Sequence, residues 1–360
     1  MDLRDSWNSL LSRMPSHHPP SRHIWLRSWI DSYWTNRPLL FILISYDEKL
    51  VAAAPLVIET QRRFGFNLRR LQFASDGTTA SNCFLLDPQH PESERLLYRE
   101  IAKFEREWDV ARFENLTCPH NGTVGFLNSM ERSGLRAFVS KGRNSPYFAF
   151  KGSFADYMAT RSSNFRYDAK RCGRRLHKAG RIEIVRFDDK QSISCHLDEA
   201  FAVSKASWKG PEKSDMAGTA ERERFYRNIC TSTDPDCRPM LWILYLEEKP
   251  IAIQFYISNQ IAIHLLRSDF DLLYEKLRPG VFLQNQVITD CFSMRFREFN
   301  FGGMDYPYKM RYTDRTRQYY HFEVFNRGYR SSLVYNLKRI KRWTGQAVVS
   351  RFRRFSLPSK

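Results

Sequence analysis

The chain has 360 residues, 42% of them hydrophobic and 14% aromatic. That length predicts two domains of ordinary size, and that apolar content excludes a disordered chain. The net charge of +18 favours an anionic partner, whether nucleic acid, phosphorylated cofactor or acidic membrane surface.

The seven cysteines (Cys83, Cys118, Cys172, Cys195, Cys230, Cys237 and Cys291) are widely spaced and contain no C-x-x-C. This argues against a disulfide framework or a zinc site and fits a reducing cytosol. The start, Met1-Asp2-Leu3-Arg4-Asp5, lacks an apolar signal core, and no eighteen apolar residues run together.

In chain order, Trp7, Leu10 and Leu11 mark a first helix. After Pro19-Pro20, Ser21 to Ile30 predicts a second, with Trp25, Trp29 and Ile30 on one core-facing side. Leu39–Tyr46 and Leu50–Val57 read as strands around an Asp47-Glu48-Lys49 turn, Pro55 placing the second at an edge or an end. Leu68–Phe73 is a third strand, and Asp76-Gly77 is turn chemistry. A helix over Ser93–Trp108, a strand over Ala111–Leu116 and a short helix over Gly122–Ser133 follow. This alternation predicts α/β layers. The polar run Lys141–Pro146 is the expected junction.

Beyond it the pattern restarts. Helices are predicted from Ser153, over Asn164–Ala179, Leu197–Trp208 and Glu221–Cys230, with a strand over Ile182–Phe187. Met240–Leu246 and Pro250–Ile257 form a hairpin around Glu247-Glu248-Lys249. It resembles the first hairpin, which suggests two copies of one α/β unit.

The helix Asn164–Ala179 buries Phe165, Ala169, Cys172, Leu176 and Ala179 on one stripe. Arg166, Lys170, Arg174 and Lys178 form another line, flanked by Arg171 and Arg175 and opposed by Asp168 alone. Like charges at i, i+4 repel, so the row points either to an anionic partner or to a solvated face. From Val324 to Lys360 there is no acidic residue, and Leu333, Leu337, Ile340 and Ala347 share a helical face. A basic amphipathic helix of this kind lies on an anionic leaflet or packs on the domain.

Tyr256–Lys309 is the stretch richest in chemistry. A strand, Ile261–Ser268, leads through Asp269–Arg278 to Pro279-Gly280 and a helix over Val281–Arg297. A helix start directs backbone N–H groups and the positive end of the dipole at an anion, glycine allows close approach, and Lys276 and Arg278 add charge. Phe299–Phe301 then forms a short strand, and Gly302-Gly303 turns the chain to present Asp305, Tyr306, Tyr308 and Lys309. Tyrosine can protonate a leaving group, and lysine can neutralise developing negative charge.

The order Leu246-Glu247-Glu248-Lys249-Pro250-Ile251-Ala252, Asp269, Arg278-Pro279-Gly280, Phe301-Gly302-Gly303 and Tyr308-Lys309 resembles the GNAT acyltransferase superfamily. It looks most like its CelD-like branch, associated with cellulose and exopolysaccharide synthesis and similar to the Fem transferases. Trp25-Leu26-Arg27-Ser28-Trp29, Leu50–Leu56 and the basic segment Arg161–Arg181 fit that branch. The resemblance implies an α/β (α+β) fold with two tandem GNAT-like domains, each a mixed sheet flanked by helices. The expected units are residues 1–146, 147–332 with the donor site, and a basic helical tail at 333–360.

By the same resemblance the donor is acetyl-CoA or another acyl-CoA, held by Leu266, Arg267, Ser268, Lys276, Arg278, Gly280, Val281 and Phe282, its pyrophosphate on the N–H groups from Gly280 to Leu283. The usual phosphate loop is Gln/Arg-x-x-Gly-x-Gly/Ala; here Leu277 and Phe282 depart from it. Lys309 maps to a lysine that assists the Fem transition state. Tyr308, Asp305 and Asp269 complete the catalytic candidates. Acceptor contacts are expected from Arg171, Arg174, Arg175, Trp208, Gly302, Gly303 and Tyr306. No metal is expected. The acceptor is expected to be a sugar or envelope precursor and the setting the cytosol, either free or, through the basic tail, at the inner membrane face. Two other readings stay open: an aminoacyl-tRNA-dependent transferase, and a non-catalytic scaffold in polysaccharide synthesis.

Overall fold

The computed structural model describes residues 2–344 apart from 16–17, 36, 64, 80, 118–124, 126–131 and 133. The helix expected over Gly122–Ser133 falls almost wholly outside them, as do Cys118 and the end of the basic tail. Among the described residues the strands are β1 (Leu39–Tyr46), β2 (Lys49–Arg63), β3 (Phe66–Phe73), β4 (Leu85–Leu86), β5 (Val110–Thr117), β6 (Arg136–Ala149), β7 (Ile182–Phe187), β8 (Arg238–Leu246), β9 (Lys249–Ser258), β10 (Ala262–Phe270), β11 (Glu298–Asn300) and β12 (Thr316–Phe325). The α-helices are α1 (Leu3–Arg13), α2 (His23–Tyr33), α3 (Glu92–Lys103), α4 (Phe154–Ala159), α5 (Ser163–Ala179), α6 (Lys190–Lys205), α7 (Ala220–Ile229), α8 (Pro279–Ser293), α9 (Pro307–Met310) and α10 (Tyr329–Thr344).

The strands join in one mixed sheet, in the order β1-β2-β3-β5-β12-β6-β11-β10-β9-β8-β7, with β4 on β2. The α/β class expected from the sequence is the class observed. Both hairpins whose sequences resemble each other turn in the same way. Asp47, Glu48, Glu247 and Glu248 all have positive φ, at 45°, 61°, 48° and 68°. Two left-handed residues match the turn to the strand twist.

Three expectations change. Pro55 lies in the middle of β2, not at an edge: its carbonyl accepts from Ala74, and on that side β4 pairs at Ala52 and Ala53 while β3 begins at Leu56. The missing N–H therefore faces the gap between β4 and β3. The polar run Lys141–Pro146, the expected junction, lies inside a continuous strand, β6. There β6 pairs with β12 up to Pro146 and with β11 from Tyr147. Finally, β12 has no counterpart in the predicted elements. It comes late in the chain, yet is bonded to β5 and β6 on its two sides.

Each face of the sheet has its own core. α5 and α8 cover β8–β11 through Phe165, Cys172, Leu176, Leu283 and Ile288. α3 covers the first half through Leu97, Tyr98 and Ile101. A third core joins the halves: Trp7, Trp25 and Trp29 of α1 and α2 lie in one cluster with Phe201, Phe225 and Leu241. Trp25 meets Phe225 edge-on at 5.0 Å, and a buried ion pair, Arg22–Asp234 at 2.9 Å, reinforces the contact. The tryptophan stripe is thus core, but a core shared by both halves. Among the described residues no helix is long and apolar enough to cross a membrane.

Candidate active site

β10 and β11 pair over only three positions, Ala262↔Glu298 to His264↔Asn300. Past them the chains part. β10 continues to Phe270, while Phe301–Gly303 turns away. Gly302 has φ +71°, and a Cβ there would stand 2.6 Å from Leu265 O. Its amide donates to Asn300 Oδ1 at 2.9 Å and its carbonyl accepts from Ser145 Oγ at 3.1 Å. On the opposite edge of β10 the register with β9 slips between Leu265 and Arg267. Such a bulge bends the strand and re-aims its side chains. The divergence opens a cavity of ≈ 840 Å³.

Leu266, Arg267 and Ser268 form one wall. Arg267 is held there by its guanidinium, which donates to Tyr226 Oη at 2.7 Å and Ser214 O at 2.9 Å. The start of α8 supplies Arg278, Gly280 and Val281. Arg278 is left-handed (φ 56°, ψ 50°) and precedes Pro279, which has no N–H. The amides of Val281 and Phe282 both donate to Arg278 O, at 3.2 and 3.3 Å. The anion-facing donor therefore narrows to Gly280, which has no acceptor within the helix. A Cβ on Gly280 would meet the Phe270 ring at 3.1 Å.

Arg278 and Arg311 converge on Asp168 Oδ2 of α5, at 3.3 and 2.6 Å. The Arg311 hydrogen bond, with Arg278 beside it, holds that carboxyl below the usual range. Asp168 thus orders the cationic wall of the cavity rather than neutralising its own helix.

The third wall contains Gly302, Gly303, Tyr306, Tyr308 and Lys309. Lys309 is buried, and its Nζ donates to Phe301 O at 2.7 Å and Gly303 O at 3.1 Å. Among the described residues it has no carboxylate partner. Burial first, then Lys209 and Arg143, lowers its pKa to about 8. Tyr308 stacks on Tyr306 at 6.1 Å. Although half its surface is open along the cavity wall, desolvation in the cleft pushes its phenol up to about 12. Trp208 completes the lining from the loop after α6.

Other candidates lie elsewhere. Asp269 is buried behind the wall, accepting from Ser204 Oγ at 2.5 Å and pairing with Lys209 Nζ. Asp305 accepts from Asn144 Nδ2 at 2.8 Å on the surface. Phe282 is buried against Gly173 in the core under α5. Lys276 and Arg175 meet through the Lys276 carbonyl, at 3.3 Å, in a shallow neighbouring groove. Arg171 and Arg174 are exposed on α5, away from the cavity.

Sequence reasoning missed Asp76, Gly77, Thr78 and Arg143, which the first half contributes. It also missed Lys209, Arg222 and Arg311. The Asp76-Gly77 turn was visible, but nothing in its composition tied it to a segment two hundred residues later. Among the described residues the lining holds seven basic residues and one acidic residue, Asp76. Such a surface selects an anion. Among the described residues no group of three His, Cys, Asp or Glu is placed to hold a metal ion.

Residues 163–310 match the model of an acetyltransferase (GNAT) domain. No curated protein matches the chain. Among solved structures the chain is similar to FemX, with 10% identity over 94% of this chain and 98% of that one and a TM-score of 0.58. It is also similar to a conserved protein of unknown function from Bacteroides thetaiotaomicron, with 11% identity over 90% of this chain and 98% of that one and a TM-score of 0.57. At these identities the likeness is one of fold.

Proposed function

We propose that the protein is an acyltransferase moving an acyl group from an acyl-CoA to an amine or hydroxyl of a sugar, polysaccharide or cell-envelope precursor. The observation that carries this reading is the cationic cavity between the parted strands, with Lys309 in its wall. The match of residues 163–310 to an acetyltransferase domain supports it. The cavity residues fit the donor: Gly280 keeps the start of α8 open to it, and Arg278 and Arg311 supply charge-assisted donors for phosphate oxygens. The open edge of β10 at Leu266–Ser268 offers backbone groups to an extended amide-bearing arm.

In this reading residues 1–146 and 147–332 are two GNAT-like units, the first completed by β12, and 333–360 is a basic tail. The CelD-like association with exopolysaccharide synthesis and a cytosolic setting at the inner membrane face belong to the same proposal. α10 leaves Leu333 and Ile340 exposed, as a helix resting on a surface does.

The chemistry is direct transfer. The acceptor's lone pair attacks the thioester carbonyl carbon, and the C–S bond breaks. The Lys309 ammonium neutralises charge on oxygen and on the departing thiolate, and Tyr308 stands beside it as a second donor. Calorimetry with acetyl-CoA on the full chain tests the donor site. Gly280→Leu is expected to weaken binding at least tenfold, whereas Lys309→Ala keeps binding within a few-fold and removes turnover. Equal affinity of Gly280→Leu and wild type removes the donor site from α8.

One observation favours the aminoacyl-tRNA reading: Lys170, Arg171, Arg174 and Lys178 are exposed on α5 and make no ion pair among the described residues. A tRNA donor requires steep loss of affinity with salt, whereas a CoA donor depends on it weakly.

A further inference from the structure

Next to the donor cavity lies a second one of ≈ 580 Å³. The two share Asp76, Gly77 and Arg143. Three neighbouring strands build its floor by strict alternation: Glu59 and Gln61 on β2, Arg70 and Gln72 on β3, Arg112 and Glu114 on β5. Every second residue of a strand points to the same face, so these six stand together opposite the core under α3. Trp29 and Tyr33 of α2, with Trp34, close the far side.

The charge of this cavity differs from that of its neighbour. Four arginines meet three carboxylates, and His321 stays neutral because burial lowers its pKa. Arg70 pairs with Glu59 at 2.9 Å, and Arg112 pairs with Glu114. In a chain of net charge +18 this near-balance is local, and it disfavours a phosphate-rich ligand. Five polar atoms on the lining residues are sealed from solvent and have no hydrogen-bond partner among the described residues: Trp29 Nε1, Tyr33 Oη, Arg70 Nε, Arg112 Nε and Asn115 Oδ1. Such groups cost about 1–3 kcal/mol each when left unpaired. Donors, acceptors and aromatic walls around a nearly neutral space suit a polyhydroxylated ring.

At the neck stands Asp76. Its Oδ1 accepts from the Thr78 amide at 3.2 Å and the Thr78 hydroxyl at 2.5 Å, while among the described residues its Oδ2 accepts no hydrogen bond. Desolvation raises its pKa above the usual carboxylate value, the direction a general base requires.

We propose that the second cavity seats the acceptor, a neutral sugar ring carrying a primary amine, with that amine at the neck beside Asp76. This rests on the acyl-CoA reading for the donor. The free amine forms a C–N bond to the thioester carbonyl carbon as the C–S bond breaks. The amine proton passes to the Asp76 carboxylate. The thiolate takes a proton from Lys309, and both side chains then exchange protons with solvent.

Glucosamine is the probe, added to the full chain saturated with CoA and followed by saturation-transfer NMR and calorimetry. Wild type is expected to bind it. Gln72→Trp and, separately, Gln61→Trp fill the second cavity alone and are expected to weaken binding at least tenfold, with acetyl-CoA affinity within twofold and unchanged circular dichroism. Asp76→Asn is expected to lower kcat for acetyl transfer to glucosamine and to remove the acidic limb of the pH–rate profile. Failure of acetyl-CoA itself to bind sinks the donor reading and leaves the sugar result to decide the cavity. Absence of glucosamine binding to wild type, or equal binding to both tryptophan variants, overturns this proposal.

Discussion

Gly302 stands so close to Leu265 that a Cβ at 302 would lie 2.6 Å from the Leu265 carbonyl oxygen. This contact sits where β10 and the chain after β11 part, and so it sets the mouth of the donor cavity. Gly302→Ala meets two penalties. A left-handed residue other than glycine costs about 1–2 kcal/mol, and the added methyl must push the chains further apart. A lower unfolding free energy in urea, together with weaker acetyl-CoA binding, is expected. An unchanged midpoint and affinity would show that the close approach is dispensable.

The depressed pKa of Lys309 gives stability a definite pH dependence. In the folded protein the ammonium titrates at about 8, against 10.5 for an unburied lysine. Between those values the unfolded chain binds more protons, so this group makes stability rise with pH. Below pH 8 both states are protonated and the penalty stands in full, roughly 3 kcal/mol. Wild type is therefore expected to gain stability relative to Lys309→Met from pH 8 to 10.5, as read by urea unfolding. Turnover should move the opposite way, falling above pH 8 as the ammonium is lost. A constant difference between the two proteins across that range would refute the burial of this charge.

Asp269 and Asp305 look equivalent in sequence and are not. Asp269 is buried with Lys209 as its partner, and removing one member of a buried pair typically costs 3–5 kcal/mol. Asp269→Asn is expected to be strongly destabilised, by several kcal/mol. Asp305→Asn, on the surface, should unfold within about 0.5 kcal/mol of wild type. Differential scanning calorimetry of the two variants separates a structural carboxylate from an incidental one.

Arg278 combines strain with function. Its left-handed backbone favours glycine, yet its guanidinium faces the cavity and Asp168. Arg278→Gly should change stability by no more than about 1 kcal/mol, because relief of strain offsets added chain entropy. Acetyl-CoA affinity should nevertheless fall about tenfold. Equal loss of stability and affinity would mark Arg278 as a structural residue.

Much of the fold was legible because it is local. Alternation and helical spacing gave most elements from Leu39 to Phe301, though not β4 or the long β6, and the repeated acidic turn at Asp47-Glu48 and Glu247-Glu248 gave the two matching hairpins. β12 was missed. Its pairing with β5 and β6 depends on strands about two hundred residues earlier, and its own sequence, Thr316–Phe325, mixes polar and aromatic residues without a clear period.

The sequence by itself determined that Lys309, Tyr308, Gly302 and the Arg278-Pro279-Gly280 turn belong near one another, because a strand, a helix and a short strand of successive chain must pack side by side. Only the tertiary structure decided which charges face the cavity. It drew Asp168 across to Arg278 and Arg311, buried Asp269 beneath Lys209, turned the α5 arginines outward, and brought Asp76 and Arg143 from the first half to the site. Charge acts through space and burial, and neither distance nor desolvation is written in the spacing of residues along the chain.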